Sequence, residues 1–364
     1  MRIAFYAPLK SPNHPVPSGD REMARLLIAA LKNSGNKVEL ASELRSFAAT
    51  LDDNIRWEIA HNAVEEMGRL VARWRKSARP DLWFTYHPYY KAPDLIGPQV
   101  ARALDIPYVT AEASYSKRRD ESGWLPLQAR VADAVRLAAV NICFTERDQK
   151  GLLAAVPDAR LARLAPFIDT AAFDTPVPRA NPSRLVTIAM MRPGDKLESY
   201  KVLADALAQI IGQGWTLTVI GDGPVRQEVR ALFARFGDKR IEWLGELPPE
   251  AVRNVLRASS IYVWPGIGEA YGIAYMEAQA AGLPVIAQKV AGVPEVVQDG
   301  TTGVLTMADD IKAYASAISG MLSDGTACAE MGMAAHRFIV QERSLATASD
   351  QLDRILRQCI KKGG

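Results

Sequence analysis

The chain has 364 residues, too many for one ordinary hydrophobic core and suited to two domains. Hydrophobic residues make up 48% and charged residues 23%, with 44 Lys and Arg against 41 Asp and Glu. That balance describes a globular protein and excludes a disordered chain or a strongly basic nucleic-acid binder. The apolar runs fall short of the roughly 20 residues a membrane-spanning helix needs. The cysteines, Cys143, Cys328 and Cys359, are odd in number and far apart, so neither a disulfide framework nor a zinc knuckle is indicated.

The opening MRIAFYAPLK has a strand pattern rather than that of a signal peptide, so a cytoplasmic location is expected. Strands are predicted at Arg2 to Ala7, Lys37 to Ala41, Asp81 to Tyr86, Pro107 to Ala111 and Asn141 to Phe144, separated by helical segments, the pattern of a parallel α/β sheet. After the first strand, Ser11 to Asp20 (SPNHPVPSGD) is a Pro-rich loop entering a helix from about Arg21 to Gly35. Its length and single glycine exclude the G-x-G-x-x-G fingerprint of a dehydrogenase, and Ser18 or Asp20 suits the helix N-cap. His87 follows the third strand at its carboxyl end, where open α/β sheets place ligands; a stacked or hydrogen-bonded surface His is the alternative. Arg69, Arg73, Arg75, Lys76 and Arg79, interleaved with Leu70, Val71 and Trp74, read as a solvated helix face or as a basic, partly apolar surface for an anionic membrane.

Between the halves, residues 173–183 (FDTPVPRANPS) hold three prolines and form the expected linker. Strands resume at Leu185 to Met190, Thr216 to Ile220, Ile241 to Trp243, Ile261 to Trp264 and Pro284 to Ala287. A last helix, about Leu345 to Ile360, sets Leu352, Ile355, Leu356 and Cys359 at helical spacing, so one face must be buried.

The most informative stretch is Gly268 to Glu295. Ser260 to Pro265 (SIYVWP) reads as a buried strand leaving the sheet, and Gly272 to Ala281 as a helix of good formers with no breaker. The first N–H groups of such a helix lack intrahelical partners and sit at the positive end of its dipole, a seat for a diphosphate. Glu269 lies in the loop before the helix and Glu277 inside it, eight residues on. The first can reach a group beyond the phosphates, the second a ribose hydroxyl.

These residues resemble the retaining glycosyltransferases of family 4: E-x7-E is Glu269 to Glu277, the G-x-P-V strand is Gly282-Leu283-Pro284-Val285, and the G-G-x-x-E turn is Ala291-Gly292-Val293-Pro294-Glu295. The resemblance implies that Glu269 contacts the donor sugar, that Glu277 contacts the nucleotide ribose, and that the amides of Tyr271, Gly272 and Ile273 share the diphosphate charge. In Met190 to Lys201 (MMRPGDKLESYK), Arg192 and Lys196 fit the family's diphosphate-binding cations, with Lys201 a weaker match for the second. The family's G-R-L turn departs here to Met191-Arg192-Pro193. Gly221-Asp222-Gly223-Pro224 and Glu242 to Gly245 resemble family segments near the nucleotide, and their glycines serve equally as tight turns. In the first half the family's G-G becomes Ser18-Gly19, and the amide role passes to Gly19. Where many members have a His or Asp near the reacting sugar carbon, this chain has Glu112, which either meets substrate or pairs with Lys117, Arg118 or Arg119.

The expected fold is therefore α/β of the GT-B type: two Rossmann-like doubly wound domains with an interdomain cleft and a C-terminal helix returning to the first. Expected boundaries are 1–172 for an acceptor domain, 173–183 for the linker, 184–340 for a nucleotide-sugar domain and 341–364 for the returning helix. The expected function is metal-independent, cofactor-free transfer of a sugar from a nucleoside diphosphate sugar to a saccharide or lipid-linked acceptor, with His87 and Glu112 as further catalytic candidates. Peripheral contact with the inner face of the membrane is a further expectation, and nucleic acid is not. A nucleotide-sugar epimerase and a non-catalytic nucleotide-sugar-binding homologue are the alternatives.

Overall fold

A computed structural model describes residues 1–173 and 183–361; positions 174 to 182 of the expected linker lie outside the described residues. The chain forms two compact units: residues 1–165 with 345–364, and residues 166–344. The first passage between units thus falls before the expected boundary at residue 172. Pro166 to Phe173 belong to the second unit, where the Ile168 N–H bonds the Arg343 carbonyl at 3.0 Å.

The first unit runs β1 (Arg2–Tyr6), α1 (Gly19–Asn33), β2 (Lys37–Ser42), α2 (Asp53–Lys76), β3 (Leu82–Tyr86), α3 (Gly97–Leu104), β4 (Tyr108–Ala111), α4 (Leu125–Leu137), β5 (Val140–Cys143), α5 (Glu146–Ala155) and β6 (Leu161–Arg163). Its six strands are parallel in the order β2-β1-β3-β4-β5-β6. β3, β4 and β5 are buried along their whole length, as parallel strands are when helices cover both faces. On one face Tyr6, Trp83 and Tyr108 pack with Leu70 and Trp74 of α2 and Val100 of α3. Side chains alternate along a strand, so Phe5 and Phe84 stack on the other face, their centroids 5.6 Å apart.

The second unit repeats the plan with β7 (Arg184–Ile188), α6 (Asp195–Gln209), β8 (Thr216–Ile220), α7 (Arg226–Phe233), β9 (Ile241–Gly245), α8 (Pro249–Arg257), β10 (Ile261–Val263), α9 (Ile273–Ala280), β11 (Val285–Gln288), β12 (Gly303–Thr306), α10 (Ile311–Ser323) and α11 (Gly325–Glu342). Its strands are also parallel, in the order β12-β11-β10-β7-β8-β9. Both units are therefore Rossmann-like and doubly wound, the fold class the sequence implies. The edge strands β6 and β12 were not among the expected strands; each is short and only partly buried.

In each sheet the winding reverses between two neighbours, β1 and β3 in the first and β7 and β10 in the second. The loops leaving those carboxyl ends diverge, and ligands of open α/β sheets sit in the opening.

The final helix, α12 (Leu345–Lys361), rejoins the first unit and packs beside α1. Leu352 and Leu356 are fully buried, and Ser34 Oγ donates to the Ser349 carbonyl at 2.9 Å. No helix among the described residues is long and apolar enough to cross a membrane.

Candidate active site

The loops after β7 and β10 flank the switch point of the second unit, and side chains from the two sides reach each other there. Lys196, in the first turn of α6, forms an ion pair with Glu269 Oε1. The Trp264 indole N–H donates to the same oxygen at 3.0 Å, and the Lys196 ammonium lies 5.5 Å from the centre of the indole ring. One further bond ties the two sides together, the Ile267 N–H donating to Ser199 Oγ at 3.0 Å, and within the β7–α6 connection Tyr200 OH donates to the Ala189 carbonyl at 2.8 Å. The Lys196 and Glu269 side chains are 29% and 17% exposed, so the pair is partly desolvated and still open to a ligand.

The helix after this loop begins as the sequence implies. Gly272 caps α9 at φ +82°, and a Cβ there would run into the Tyr275 ring. Tyr275 OH donates to the Trp264 carbonyl at 3.0 Å and fixes the helix start against the end of β10. Glu277 lies one turn further along α9, half-buried, on the helix that follows the Glu269 loop. Burial raises the Tyr262 phenol well above its ordinary value, and the nearby charges of Glu269 and Glu277 raise it further, so both carboxylates bear on one buried ring. Tyr271 is buried, and Gly272 and Ile273 are half-buried.

Arg192 is placed differently. It projects into solvent from the loop after β7, with no side-chain hydrogen bond or ion pair among the described residues. That loop is held by the Gly221 to Pro224 turn. The Met191 N–H donates to the Asp222 carbonyl at 2.9 Å, and a Cβ at Gly221 or Gly223 would fall on the carbonyl oxygen of Ala189 or Met191. The glycines of this segment are required for close backbone approach, the structural one of their two sequence readings. Lys201 pairs with Glu198 at 2.8 Å, away from Glu269.

The first unit gathers a second cluster at the carboxyl ends of its strands. His87 Nδ1 lies 2.9 Å from Asp20 Oδ1. His87 and Glu112 both have positive φ, 55° and 56°, a conformation that costs non-glycine residues energy and collects at functional sites. Burial lowers the His87 pKa, but the hydrogen bond to Asp20 and the charges of Glu112, Asp20 and Asp148 outweigh it and lift it to about 9. Burial raises Glu112 to about 7, partly opposed by His87 and assisted by Asp148 and Asp20. Glu112 thus lies within the field of His87, Asp148 and Asp20. The Arg119 guanidinium lies 5.2 Å from the Tyr90 ring centre.

Gly19 is the first residue of α1, and Ser18 Oγ caps that helix by accepting from the Arg21 N–H at 3.2 Å. Of the basic run on α2, Arg69 pairs with Glu66 at 2.7 Å and Arg73 with Glu39, as a solvated helix face does.

Sequence reasoning missed Trp264 and Asp148 as members of these clusters. Trp264 reads only as the apolar end of a strand. Asp148 lies in the first turn of α5, where its N–H donates to Oγ1 of the N-cap Thr145 at 3.1 Å, and nothing in its spacing marks it as a neighbour of His87.

Residues 182–324 match the family profile described as Glycosyl transferases group 1. A D-inositol 3-phosphate glycosyltransferase of Corynebacterium diphtheriae is 40% identical over 96 residues, 26% of this chain and 22% of that protein. One of Corynebacterium kroppenstedtii is 28% identical over 285 residues, 73% of this chain and 63% of that protein. The aligned stretches thus span less than two thirds of these relatives' own lengths. Among solved structures, that of Anabaena Alr3699/HepE in complex with UDP superposes with a TM-score of 0.74 at 18% identity, covering 98% of this chain and 100% of that one, a likeness of fold. The match covers residues 182–324, so it is the second unit that is similar to glycosyl transferases group 1.

Proposed function

We propose that the protein is a retaining glycosyltransferase that moves a sugar from a nucleoside diphosphate sugar to an acceptor hydroxyl, in polysaccharide or glycolipid synthesis. The observation that carries the reading is the Lys196–Glu269 pair at the switch point, next to the start of α9. A cation, a carboxylate and a helix N-terminus together match a diphosphate, a sugar hydroxyl and the charge that develops between them. The names of the relatives support glycosyl transfer, and the UDP held by the structural neighbour supports the donor class.

In this reading Lys196 and the exposed Arg192 hold the diphosphate, and the amides of Tyr271, Gly272 and Ile273 share its charge. Glu277 grips the ribose, and Glu269 positions the donor sugar. The bond from the anomeric carbon to the phosphate oxygen breaks with its electrons going to the diphosphate. The acceptor oxygen bonds to the same face of that carbon, and its proton passes to the departing phosphate. Retention is taken from the resemblance to family 4. The cations and helix amides supply the positive charge, so the reading calls for no metal ion or other cofactor. Within the first unit, Gly19 offers its amide, and His87 and Glu112 offer their side chains to a saccharide or lipid-linked acceptor. Exposed Trp57 and Val64 on α2, with Lys117, Arg118 and Arg119, provide for peripheral membrane contact.

Equilibrium binding of UDP, GDP and ADP tests the donor side. One of them should bind the wild-type protein, and Lys196→Ala should weaken that binding about tenfold or more, the scale of a charge-assisted contact to phosphate. Absence of binding by all three contradicts the proposal.

A further inference from the structure

We infer that Trp264 is a positioning residue for the donor site, keeping Glu269 in place when Lys196 turns from that carboxylate to an arriving diphosphate. The inference rests on the donor reading above and adds to it a residue that neither the sequence motif nor the comparisons assign.

Trp264 follows the last residue of β10 and is 2% exposed. Its backbone is held on both sides: its N–H donates to the Ile286 carbonyl at 3.1 Å, and its carbonyl accepts from Tyr275 OH at 3.0 Å. Its ring meets Tyr200 edge to face at 4.9 Å. The indole N–H is therefore a fixed donor, and it points at Glu269 Oε1.

That oxygen receives two donors of different character. One is the Lys196 ammonium, a mobile charge on a flexible stem. The other is the neutral indole N–H, anchored in the core. Glu269 Oε2 takes no hydrogen bond among the described residues, so both ties fall on one oxygen.

A diphosphate carries more negative charge than one carboxylate and draws the ammonium toward itself. Glu269, left without a partner, would be a poorly solvated carboxylate free to reorient. The indole N–H prevents both, because a neutral group locked in the core does not follow the diphosphate. The ring face also attracts the ammonium and keeps Lys196 close as it changes partner. An aliphatic residue would fill the same core space and provide neither contact.

Trp264→Phe keeps a ring near Lys196 and removes the N–H, whereas Trp264→Leu removes both. The donor is whichever of UDP-glucose, GDP-mannose or ADP-glucose the wild-type protein turns over, and the matching nucleoside diphosphate reports binding. Folded Trp264→Phe should lose on the order of tenfold in kcat, the worth of a hydrogen bond to a charged group, with Kd for the nucleoside diphosphate within about threefold of wild type. Trp264→Leu should weaken nucleoside diphosphate binding as well. A merely structural Trp264 would leave kcat per folded molecule unchanged in Trp264→Phe, and that result overturns the inference while the donor reading stands. If the Trp264 variants do not fold, or if wild type binds but does not turn over, Glu269→Gln decides. It frees Lys196 from its charged partner and should bind the nucleoside diphosphate about threefold or more tighter than wild type. Equal or weaker binding overturns the inference. A wild-type protein that binds no nucleoside diphosphate removes the donor reading and the inference together.

Discussion

His87 Nδ1 and Asp20 Oδ1 lie 2.9 Å apart, joining the end of β3 to the first turn of α1 across the switch point of the first sheet. The pair has a consequence for stability. With its folded pKa raised from the ordinary 6.5 to about 9, His87 contributes stability that is fully present below pH 6.5 and is lost as pH rises through 9. Urea unfolding of the first unit should show a loss of about 2 kcal/mol between pH 6 and pH 9.5. His87→Gln should flatten most of that decline; an unchanged slope in the variant would remove His87 as its source.

Glu112 acts in a lower window. Its folded pKa is raised from 4.5 to about 7, first by burial, so its neutral form is favoured and stability falls as pH rises from 4.5 through 7. Glu112→Gln replaces the carboxyl by a neutral group of the same shape. The variant should match wild type in stability near pH 5 and exceed it by about 1 kcal/mol at pH 8. Greater loss at pH 8 than at pH 5 would show that the ionised carboxylate is the stabilising form.

Gly223 lies against the Met191 carbonyl at φ +157°, next to the loop that carries Arg192. Alanine there must push that loop away. Gly223→Ala should cost about 2 kcal/mol in stability and weaken nucleoside diphosphate binding in the molecules that still fold. Wild-type stability in a thermal or urea unfolding series would show that the loop yields freely.

The last helix is part of the first unit's core. Leu352→Ala and Leu356→Ala each remove a fully buried side chain and should each destabilise by about 2 to 5 kcal/mol. Truncation before Leu345 should leave α1 without its neighbour and the first unit unable to fold cooperatively. Unfolding transitions of the two point variants check the first statement, and hydrogen exchange of α1 in the truncated chain checks the second.

The strands were legible where they lie inside a sheet, because two-sided burial writes a continuous apolar run; β3 and β8 are examples. β6, only Leu161 to Arg163, and β12, opening on Gly303, sit at sheet edges and carry too few apolar residues to stand out. In the candidate site, a local pattern named Lys196, Glu269 and Glu277, of which the first two pair and the third lies on the next helix. Trp264 was not, since its role depends on where its N–H points. The effect of Asp148 on His87 was equally hidden, because it arises from the side-by-side carboxyl ends of β3, β4 and β5, a relation of topology and not of spacing.

The most direct test of the account is release of nucleotide from a panel of uridine, guanosine and adenosine diphosphate sugars, followed by chromatography with wild type and Glu269→Gln side by side. The account predicts release from one donor, faster with a saccharide or lipid-linked acceptor, and a loss of about a hundredfold or more in the folded Glu269→Gln variant. Release that is undiminished in Glu269→Gln, or no release from any donor by wild type, would contradict it.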